Sequence, residues 1–459
     1  MHTSLFKNLI LCAALLSAPL ASADEFWLAG NVGNWNDIAN WNNAVPAVGA
    51  DVQARIRSGG TVTMNSIIDT GGEIDIRISD TASPLGTLIW NPGSGSGVQF
   101  IERIRLSDNV ASFAQMNHLS GTIRLDNDWF HIARIGTATY NASGSAKILA
   151  DDRISIAEGA GNQVTLGVAN LSGNATLSVN NNNAESFIAV RNNADGFLNM
   201  TGNSVAESRY WRVGNDVGAQ GTITMEDNAV FRAGYLNDGQ ISLGRSGEGN
   251  LTMNDNTTID LAGNTSLRAG DNNNGVGNIT MNGNSRVIST GNGNGHVVIG
   301  DDGTGVGNLT MNNTSGMTDI REMWIGNGGD SSGTVTMNDS SFINLNRSTP
   351  ILNLANGSTA DGTLIMNDDS TISFRHLRAD ADGNGGGVAT IIQNQNSKMT
   401  ANGWVELGGG NLDTSTWTLN HSAQVIASGD QGSTHIGTRG NGTGILNLND
   451  TSYFEQGAS

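Results

Sequence analysis

Short stretches that alternate apolar and polar residues recur along most of the chain. In residues 221–225, which read Gly-Thr-Ile-Thr-Met, the isoleucine and methionine lie on one side of an extended chain and the threonines on the other. Closely similar segments return at 249–253, 277–281, 307–311 and 333–337. This alternation predicts β-strands, because the i, i+3, i+4 spacing of an amphipathic helix is missing from these segments.

The strand motif repeats with a regular period. From Met64 to Leu448 its centres lie about 27 residues apart. An aliphatic residue followed by Gly, as in Ile299-Gly300, precedes it by about 11 residues and marks a second strand. The period fits one coil of three short strands and is shorter than the roughly 40 residues of a propeller blade. The sequence therefore predicts an all-β fold, a right-handed parallel β-helix (solenoid) in which stacked coils bury one another's apolar face.

An Asn follows the Met or Leu of many units, as at Asn254, Asn282 and Asn312. Stacked Asn amides can bond along a column, so we expect a ladder parallel to the coil axis. Asn also tolerates the left-handed backbone region, and we expect these residues to adopt it where the coil turns a corner.

The first residues are typical of a secretory signal peptide. Lys7 supplies a positive charge, residues 9–20 are apolar, and Ala21-Ser22-Ala23 is a small-residue cleavage site. The single cysteine, Cys12, lies within this segment, so a mature chain would have no disulfide and no Cys-based metal site or nucleophile.

Three regions follow from these patterns. We predict a signal peptide at 1–23, a Trp-rich N-terminal cap at 24–58 and a β-helix repeat array at 59–459. The array ends about ten residues past its last motif without the polar terminal cap that repeat arrays need, and we interpret it as truncated at its C-terminal end.

The Trp-rich segment and the repeats together resemble a known family. The segment contains Trp27, Gly33-Asn34-Trp35-Asn36, Ala39-Asn40-Trp41, Val45-Pro46 and Asp51-Val52. It is similar to the opening of the type V secretion/PEP-CTERM-associated repeat family, whose repeat the units above also resemble. The resemblance implies an autotransporter passenger or a sorted surface protein of Gram-negative type, secreted or held at the cell surface. Because neither barrel strands nor an apolar sorting helix follow Leu448, contact with the outer membrane would need an export domain missing from this sequence.

The net charge of the chain limits the classes of partner that it can bind. The formal net charge is −19, and such a chain repels nucleic acid and anionic membrane surfaces. We therefore expect no nucleic-acid partner and consider extracellular polysaccharide, or a host or matrix surface, as partners. The three tryptophans of the N-terminal segment either cover the first coil or form a carbohydrate-stacking platform, and we favour the cover.

One polar cluster would suit an enzyme. Many β-helix proteins are polysaccharide lyases or hydrolases, so we keep a polysaccharide-active enzyme as the alternative to a non-enzymatic protein. A lyase would use a base such as Lys147 or Arg153, with acidic residues nearby. The cluster comprises His118, Asp126, Asp128, His131, Lys147, Asp151, Asp152 and Arg153.

Metal and cofactor signals are weak. The sequences around Asp301-Asp302 and Asp380–Asn384 are rich in Asp and Gly, but the tandem calcium repeat and the EF-hand spacing are both missing. We therefore predict no cofactor and no metal site, with weakly bound surface Ca²⁺ as the alternative.

A column of outward-facing residues is the candidate for ligand binding. The side chain two residues before each strand-end Gly should face solvent. Arg is frequent there for so acidic a chain, and Arg beside an exposed Trp suits a sugar or an acidic ligand. We predict binding by Arg212, Arg268, Trp324 and Arg378. The whole column reads Arg134, Arg212, Ser242, Arg268, Val298, Trp324, Asn353, Arg378, Glu406 and His435.

Two further hypotheses concern the function of the solvent-facing surface as a whole. The regular threonines, such as Thr252 and Thr280, resemble the hydroxyl arrays of ice-binding β-helices, although only one per strand is regular and Thr is favoured in strands anyway. Regular coils without concentrated catalytic residues favour a structural or adhesive role, that of an adhesin-like passenger. Glycan binding is the other alternative to an enzyme.

Overall fold

The computed structural model is a parallel β-solenoid of about 14 turns, with coils about 28 residues apart. This confirms the predicted parallel β-helix and its period. The structure describes residues 25–457 apart from 29, 43–44, 47–51, 58, 68–73, 82–84, 94–96, 127, 161–162, 182–184, 235–237, 291–294, 380–385, 410–412, 429–432 and 438–440. The predicted signal peptide at 1–23 and the loop at Asp380–Asn384 therefore lie outside the described residues.

Three columns of strands form three faces. Face A contains Glu25–Trp27, Val52–Ile56, Ile74–Ile78, the first half of Arg103–His118, the first half of Trp129–Ala142, Arg153–Ile156, Glu185–Ile188, Tyr210–Val213, Gln240–Leu243, Ser266–Ala269, His296–Asp301, Glu322–Asn327, Ile351–Asn356, His376–Ala379, Val405–Leu407 and Thr434–Ile436. Face B contains Val32–Asn34, Thr61–Met64, Gly86–Trp90, the second halves of the same two long strands, Thr165–Leu171, Ala194–Met200, Gln220–Met225, Glu248–Met253, Val276–Met281, Val306–Met311, Ser332–Met337, Asp361–Met366, Val388–Gln393, Thr414–Leu419 and Thr443–Leu448. Face C contains Val98–Ile101, Thr122–Leu125, Lys147–Ala150, Thr176–Val179, Val205–Ser208, Val230–Ala233, Thr258–Ala262, Arg286–Thr290, Gly316–Ile320, Phe342–Leu345, Thr371–Phe374, Lys398–Ala401, Gln424–Ala427 and Tyr453–Gln456.

Alternation along each strand builds the core. In Val276–Met281 the side chains of Ile279 and Met281 are buried, whereas Asn278 and Thr280 face outward. Each strand pairs in parallel with its equivalents in the coils below and above, so Ile279 lies between Leu251 and Leu309. The buried residues form one continuous core along the axis.

The corner after face B confirms the predicted Asn ladder and corrects its backbone. The Asn282 amide donates to Asn254 at 2.9 Å, and Asn312 donates to Asn282 at 2.8 Å. The prediction of left-handed backbone at these Asn residues was wrong. The residue after the ladder adopts it, as in Asp255 with a φ of 55° and Asn313 with a φ of 59°.

A second ladder runs through these left-handed residues. The Asp339 carboxylate accepts from the backbone N–H of Asn313 at 2.8 Å, and Asp368 accepts from that of Asp339 at 3.1 Å. A short acidic or amide side chain is therefore favoured at this position both by the backbone conformation and by the bond to the coil below.

The three tryptophans of the N-terminal segment are buried rather than displayed. Trp27, Trp35 and Trp41 are at most 3% exposed and pack edge to face with centroids 5.0 and 4.9 Å apart. Such rings are not accessible to a saccharide, so they do not form the carbohydrate platform considered above. The segment also supplies strands of its own, since Glu25–Trp27 pairs in parallel with residues 54–56.

Within the described part of the chain, no helix has the length and apolar character needed to cross a membrane.

Candidate functional site: a groove on face A

Each strand of face A presents two outward side chains, and their sizes vary from coil to coil. Tyr210 and Trp324 are large, whereas Ser242, Ser266 and Val298 in the coils between them are small. Of these small residues, Ser266 and Val298 line a depression between the two rings. Five successive strands span it, which corresponds to about 19 Å along the axis.

This groove has a volume of about 450 Å³ and is open to solvent. Such a volume lies within the range of small-molecule and saccharide sites. Its walls combine aromatic rings with amide, hydroxyl and guanidinium groups. The lining residues are Tyr210, Gly239, Gln240, Asn264, Ser266, Arg268, His296, Val298, Trp324, Asn327 and Asn356.

A stacked aromatic pair forms one end of the groove. The indole of Trp324 lies on the imidazole of His296 with centroids 5.1 Å apart and planes 21° apart. The His296 Nδ1 lies 3.5 Å from one carboxylate oxygen of Glu322, and the Arg321 Nε lies 3.1 Å from the other. The contact with His296 lowers the pKa of Glu322 below its usual range despite partial burial. Glu322 therefore lies beside the imidazole of this pair.

Arg268 crosses the floor of the groove. Its Nη1 donates to Asp301 at 2.6 Å and to Asp271 at 3.4 Å, and its Nε donates to Ser266 at 3.2 Å. The guanidinium side chain is still 34% exposed. Arg268 is thus positioned by its own neighbours and retains surface for a ligand.

Asp301 is the most perturbed carboxyl of this region. Burial raises its pKa to about 6, against the lowering influence of Arg268 and of the Asn327 amide, which donates to it at 2.7 Å. The proximity of Asp271 adds to the increase. The buried carboxyl that pairs with Arg268 below the groove can therefore change charge at mildly acidic pH.

The structure brings together two of the four predicted ligand residues. Arg268 and Trp324 both line the groove. Arg212 lies beneath its other end, 10% exposed, where it donates to Gln240 at 2.7 Å and to Glu185 at 3.2 Å. Arg378 lies two strands beyond Trp324, near a second aromatic pair.

That second pair repeats the geometry of the first. Trp404 stacks on His376 with centroids 4.5 Å apart and planes 21° apart, and the Arg378 guanidinium lies 5.3 Å from the Trp404 centroid. Face A thus carries two Trp-His stacks, of which the first borders the groove.

The register confirms the alignment of the predicted column from Arg212 upward, and the alignment is wrong at Arg134. The predicted exposure to solvent is confirmed only in part, because several members are at most 8% exposed, namely Arg212, Ser242, Val298, Asn353 and Glu406. The register aligns Arg212, Ser242, Arg268, Val298, Trp324 and Asn353 one above the other. In the earlier coil the aligned residue is His131, because the long strand Trp129–Ala142 has register shifts between Ile132 and Thr137. Arg134 lies within that irregularity and pairs with Asp108 at 2.6 Å.

Sequence reasoning missed Tyr210, His296 and Gln240. All three occupy the other outward position of their strands, two residues before the column that contains Arg212 and Val298. The same alternation, extended by one step, would have identified them.

The predicted enzymatic cluster does not converge on one face. His118 is buried in the core, where its ring contacts the Tyr140 hydroxyl at 3.1 Å and the Gly121 carbonyl at 3.0 Å, and burial lowers its pKa to about 4. His131 is buried on face A against Glu158, whereas Lys147 is exposed on face C. The expectation of a shared site is therefore corrected.

The remaining members of that cluster are held in local contacts. Asp126 and Asp151 both pair with Arg124, at 3.0 and 3.1 Å. Asp152 accepts from the Trp129 indole, and Arg153 lies over the Trp129 ring at 4.0 Å. Asp128 pairs with Arg103. These contacts are those of a solvated, structural ion network.

Among the described residues no group of three or more His, Asp or Glu side chains is arranged to hold a metal ion. Asp301, which belongs to one of the two Asp- and Gly-rich segments considered for calcium, contacts Arg268 and Asn327. Comparisons with protein families, with curated proteins and with solved structures found no match for this chain.

Proposed function

We propose that this protein is a secreted or cell-surface β-solenoid with an adhesive role, and that it binds extracellular polysaccharide in the groove of face A. The observation that carries the proposal is the groove itself, bounded by Tyr210 and Trp324 and crossed by Arg268. Aromatic rings pack on the apolar faces of sugar rings, while amide, hydroxyl and guanidinium groups bond to the sugar hydroxyls.

The export part of the proposal has a separate basis. The apolar segment at 9–20 and the small-residue site at 21–23 support secretion, and the resemblance to autotransporter-type repeats supports display at the cell surface. The long, regular scaffold would then hold the groove away from the membrane.

Glycan binding can be tested with a panel of neutral and acidic polysaccharides. Affinity would be measured by calorimetry or pull-down, together with new reducing ends and unsaturated uronate. We expect binding without turnover, and Trp324→Ala should weaken it about tenfold or more because the stacking surface is lost. Arg268→Ala should weaken binding to a similar degree, more strongly for acidic polymers.

The chain offers a matched control. Trp404→Ala removes the same residue type from the same face and from the same kind of His stack, but outside the groove. Equal losses for Trp324→Ala and Trp404→Ala would place the ligand elsewhere on face A. Turnover of any polymer would overturn the non-enzymatic proposal, and the absence of binding to every polymer tested would overturn the glycan proposal.

A further inference from the structure

The central outward positions of face B carry no charge in the part of the chain that the structure describes. Faces A and B share thirty strands, of which two are long enough to serve both, so each face is sixteen strands deep. The two central outward positions of every face B strand hold only Thr, Asn, Gln, Val, Ile or Phe. In a protein with 42 acidic and 23 basic residues, this is a marked exclusion of charge from one surface.

Face B is also regular. From Thr165–Leu171 onward its strands pair residue by residue without a register shift. Its outward side chains are half-buried by their neighbours in the stack, as Thr224, Thr252 and Thr280 illustrate. The surface is therefore a regular array of aligned side chains.

The amides of face B are bonded to one another along the axis. Asn141 donates to Asn117 at 2.8 Å, Asn170 donates to Asn141 at 2.8 Å, and Asn199 donates to Asn170 at 2.9 Å. A further ladder joins Asn250, Asn278 and Asn308. Amides that already have partners lose less on leaving water, so this face can be covered at a lower desolvation cost than a surface of free polar groups.

We propose that face B is a self-association surface, on which a second copy of this chain packs face to face. Sixteen strands at about 4.8 Å and a width of about 10 Å give roughly 750 Å² from each copy. The total of about 1,500 Å² matches a specific, stable protein interface. An antiparallel pair related by a twofold axis would bring the same uncharged array together from both sides.

Charge favours face B over the other two faces for contact between copies. Two copies of charge −19 repel each other, and contact through face A or face C would bring carboxylates such as Glu185 or Glu207 toward the other copy. Contact through face B leaves the central positions free of charge. Carboxylates lie on both margins of this face, where a rim remains in water. Asp195, Glu248 and Asp361 lie on one margin, and the corner residues Asp255, Asp339 and Asp368 lie on the other.

The test is the oligomeric state of the purified protein by sedimentation velocity and light scattering, between about 1 and about 100 µM. We expect a dimer that persists or strengthens as salt is raised, because screening reduces the repulsion between the two acidic chains. The triple variant Thr252→Glu, Thr280→Glu, Thr310→Glu places charge at the centre of the face and should weaken the dimer at least about a hundredfold.

A control variant adds the same charge elsewhere. Thr371→Glu, Thr400→Glu, Gln424→Glu changes outward positions of face C and should leave the dimer intact. Circular dichroism would confirm that both variants fold. A monomeric wild-type protein, or a dimer that survives the face B variant, would overturn the proposal. A monomer that inhibits ice recrystallisation would also overturn it and would assign face B to an ice surface instead.

Discussion

Faces A and B are built from the same coils and the same core, yet their exteriors differ in kind. Face A carries Arg, Asp, Glu, His and aromatic residues that form ion pairs and stacked rings around a groove. The central positions of face B carry no charge across sixteen strands. Because the inward residues form a continuous core through all the coils, the outward residues of each face can diverge, and function is to be sought in them.

A single coil shows the contrast. In Ser266–Ala269 on face A, Arg268 joins carboxylates of its own coil and of the next one. In Val276–Met281 on face B, Asn278 donates to Asn250 in the coil below and accepts from Asn308 in the coil above. Both devices tie neighbouring coils together, one through charge and the other through neutral hydrogen bonds. They should therefore respond differently to pH and to salt.

The largest effect should come from filling the corner where the two faces meet. A Cβ at Gly277 would lie 2.3 Å from the Gly270 nitrogen and 2.5 Å from the Ala269 Cα, so the backbone of one face would have to move away from the other. We expect Gly277→Val to lower the free energy of unfolding by about 3 kcal/mol or more, or to prevent folding.

Denaturant and thermal unfolding followed by circular dichroism would measure this loss. Val276→Ala, a change at the adjacent half-exposed residue, serves as the control and should cost far less. Equal stability of Gly277→Val and the wild type would mean that the close contact between the faces is not required.

An intermediate effect should follow from the titration of Asp301 on face A. Burial raises its pKa from an ordinary value of 3.8 to about 6, so the folded state binds this proton more tightly than the unfolded state. The stability from this group is complete below about pH 4 and is lost as the pH rises through about 6. Relative to Asp301→Asn, the wild type should lose about 1–3 kcal/mol between pH 4 and pH 7.

The measurement is the difference in unfolding free energy between wild type and Asp301→Asn across this pH range. Asp302→Asn removes the same charge from the exposed neighbouring residue. A pH-dependent difference of equal size in both variants would indicate long-range charge rather than burial as the cause. The proposed dimer should be less sensitive over the same range, because its central contacts contain no titratable group.

Much of the scaffold could be predicted from the sequence because it depends on local repetition. The alternation in residues 277–281 and their equivalents defined the strands, and the spacing of these segments defined the coil. The Asn ladder could be predicted because Asn recurs at the same position of successive repeats. The left-handed residue was misplaced by one position because Asn and Asp are adjacent in these corners and both tolerate that conformation.

The candidate site was only partly predictable because a groove depends on differences between coils. Arg268 and Trp324 were found by following one outward column. The depression between Tyr210 and Trp324 is lined by the smaller residues Ser266 and Val298 of the coils between them. The prediction of a shared enzymatic site failed because it relied on proximity in sequence.

His118 illustrates that error. It shares the inward phase of Met116 and lies in the core, whereas the outward Lys147 belongs to another face. The inward or outward position of each residue in its strand distinguishes His118 from Lys147, whereas their proximity in sequence does not.

The smallest effect should come from breaking the neutral ladder of face B. Asn278→Ala removes one bond to Asn250 and leaves Asn308 without its acceptor, so we expect a loss of about 1 kcal/mol in unfolding free energy. Since no charge is involved, this loss should be the same at low and high salt, whereas the loss caused by Arg268→Ala should shrink as salt is raised. Thr280→Ala, on the same strand and face, is the control. A salt-dependent loss at Asn278 would show that the charges of face A influence face B through the shared coil, and the two faces would then not be independent.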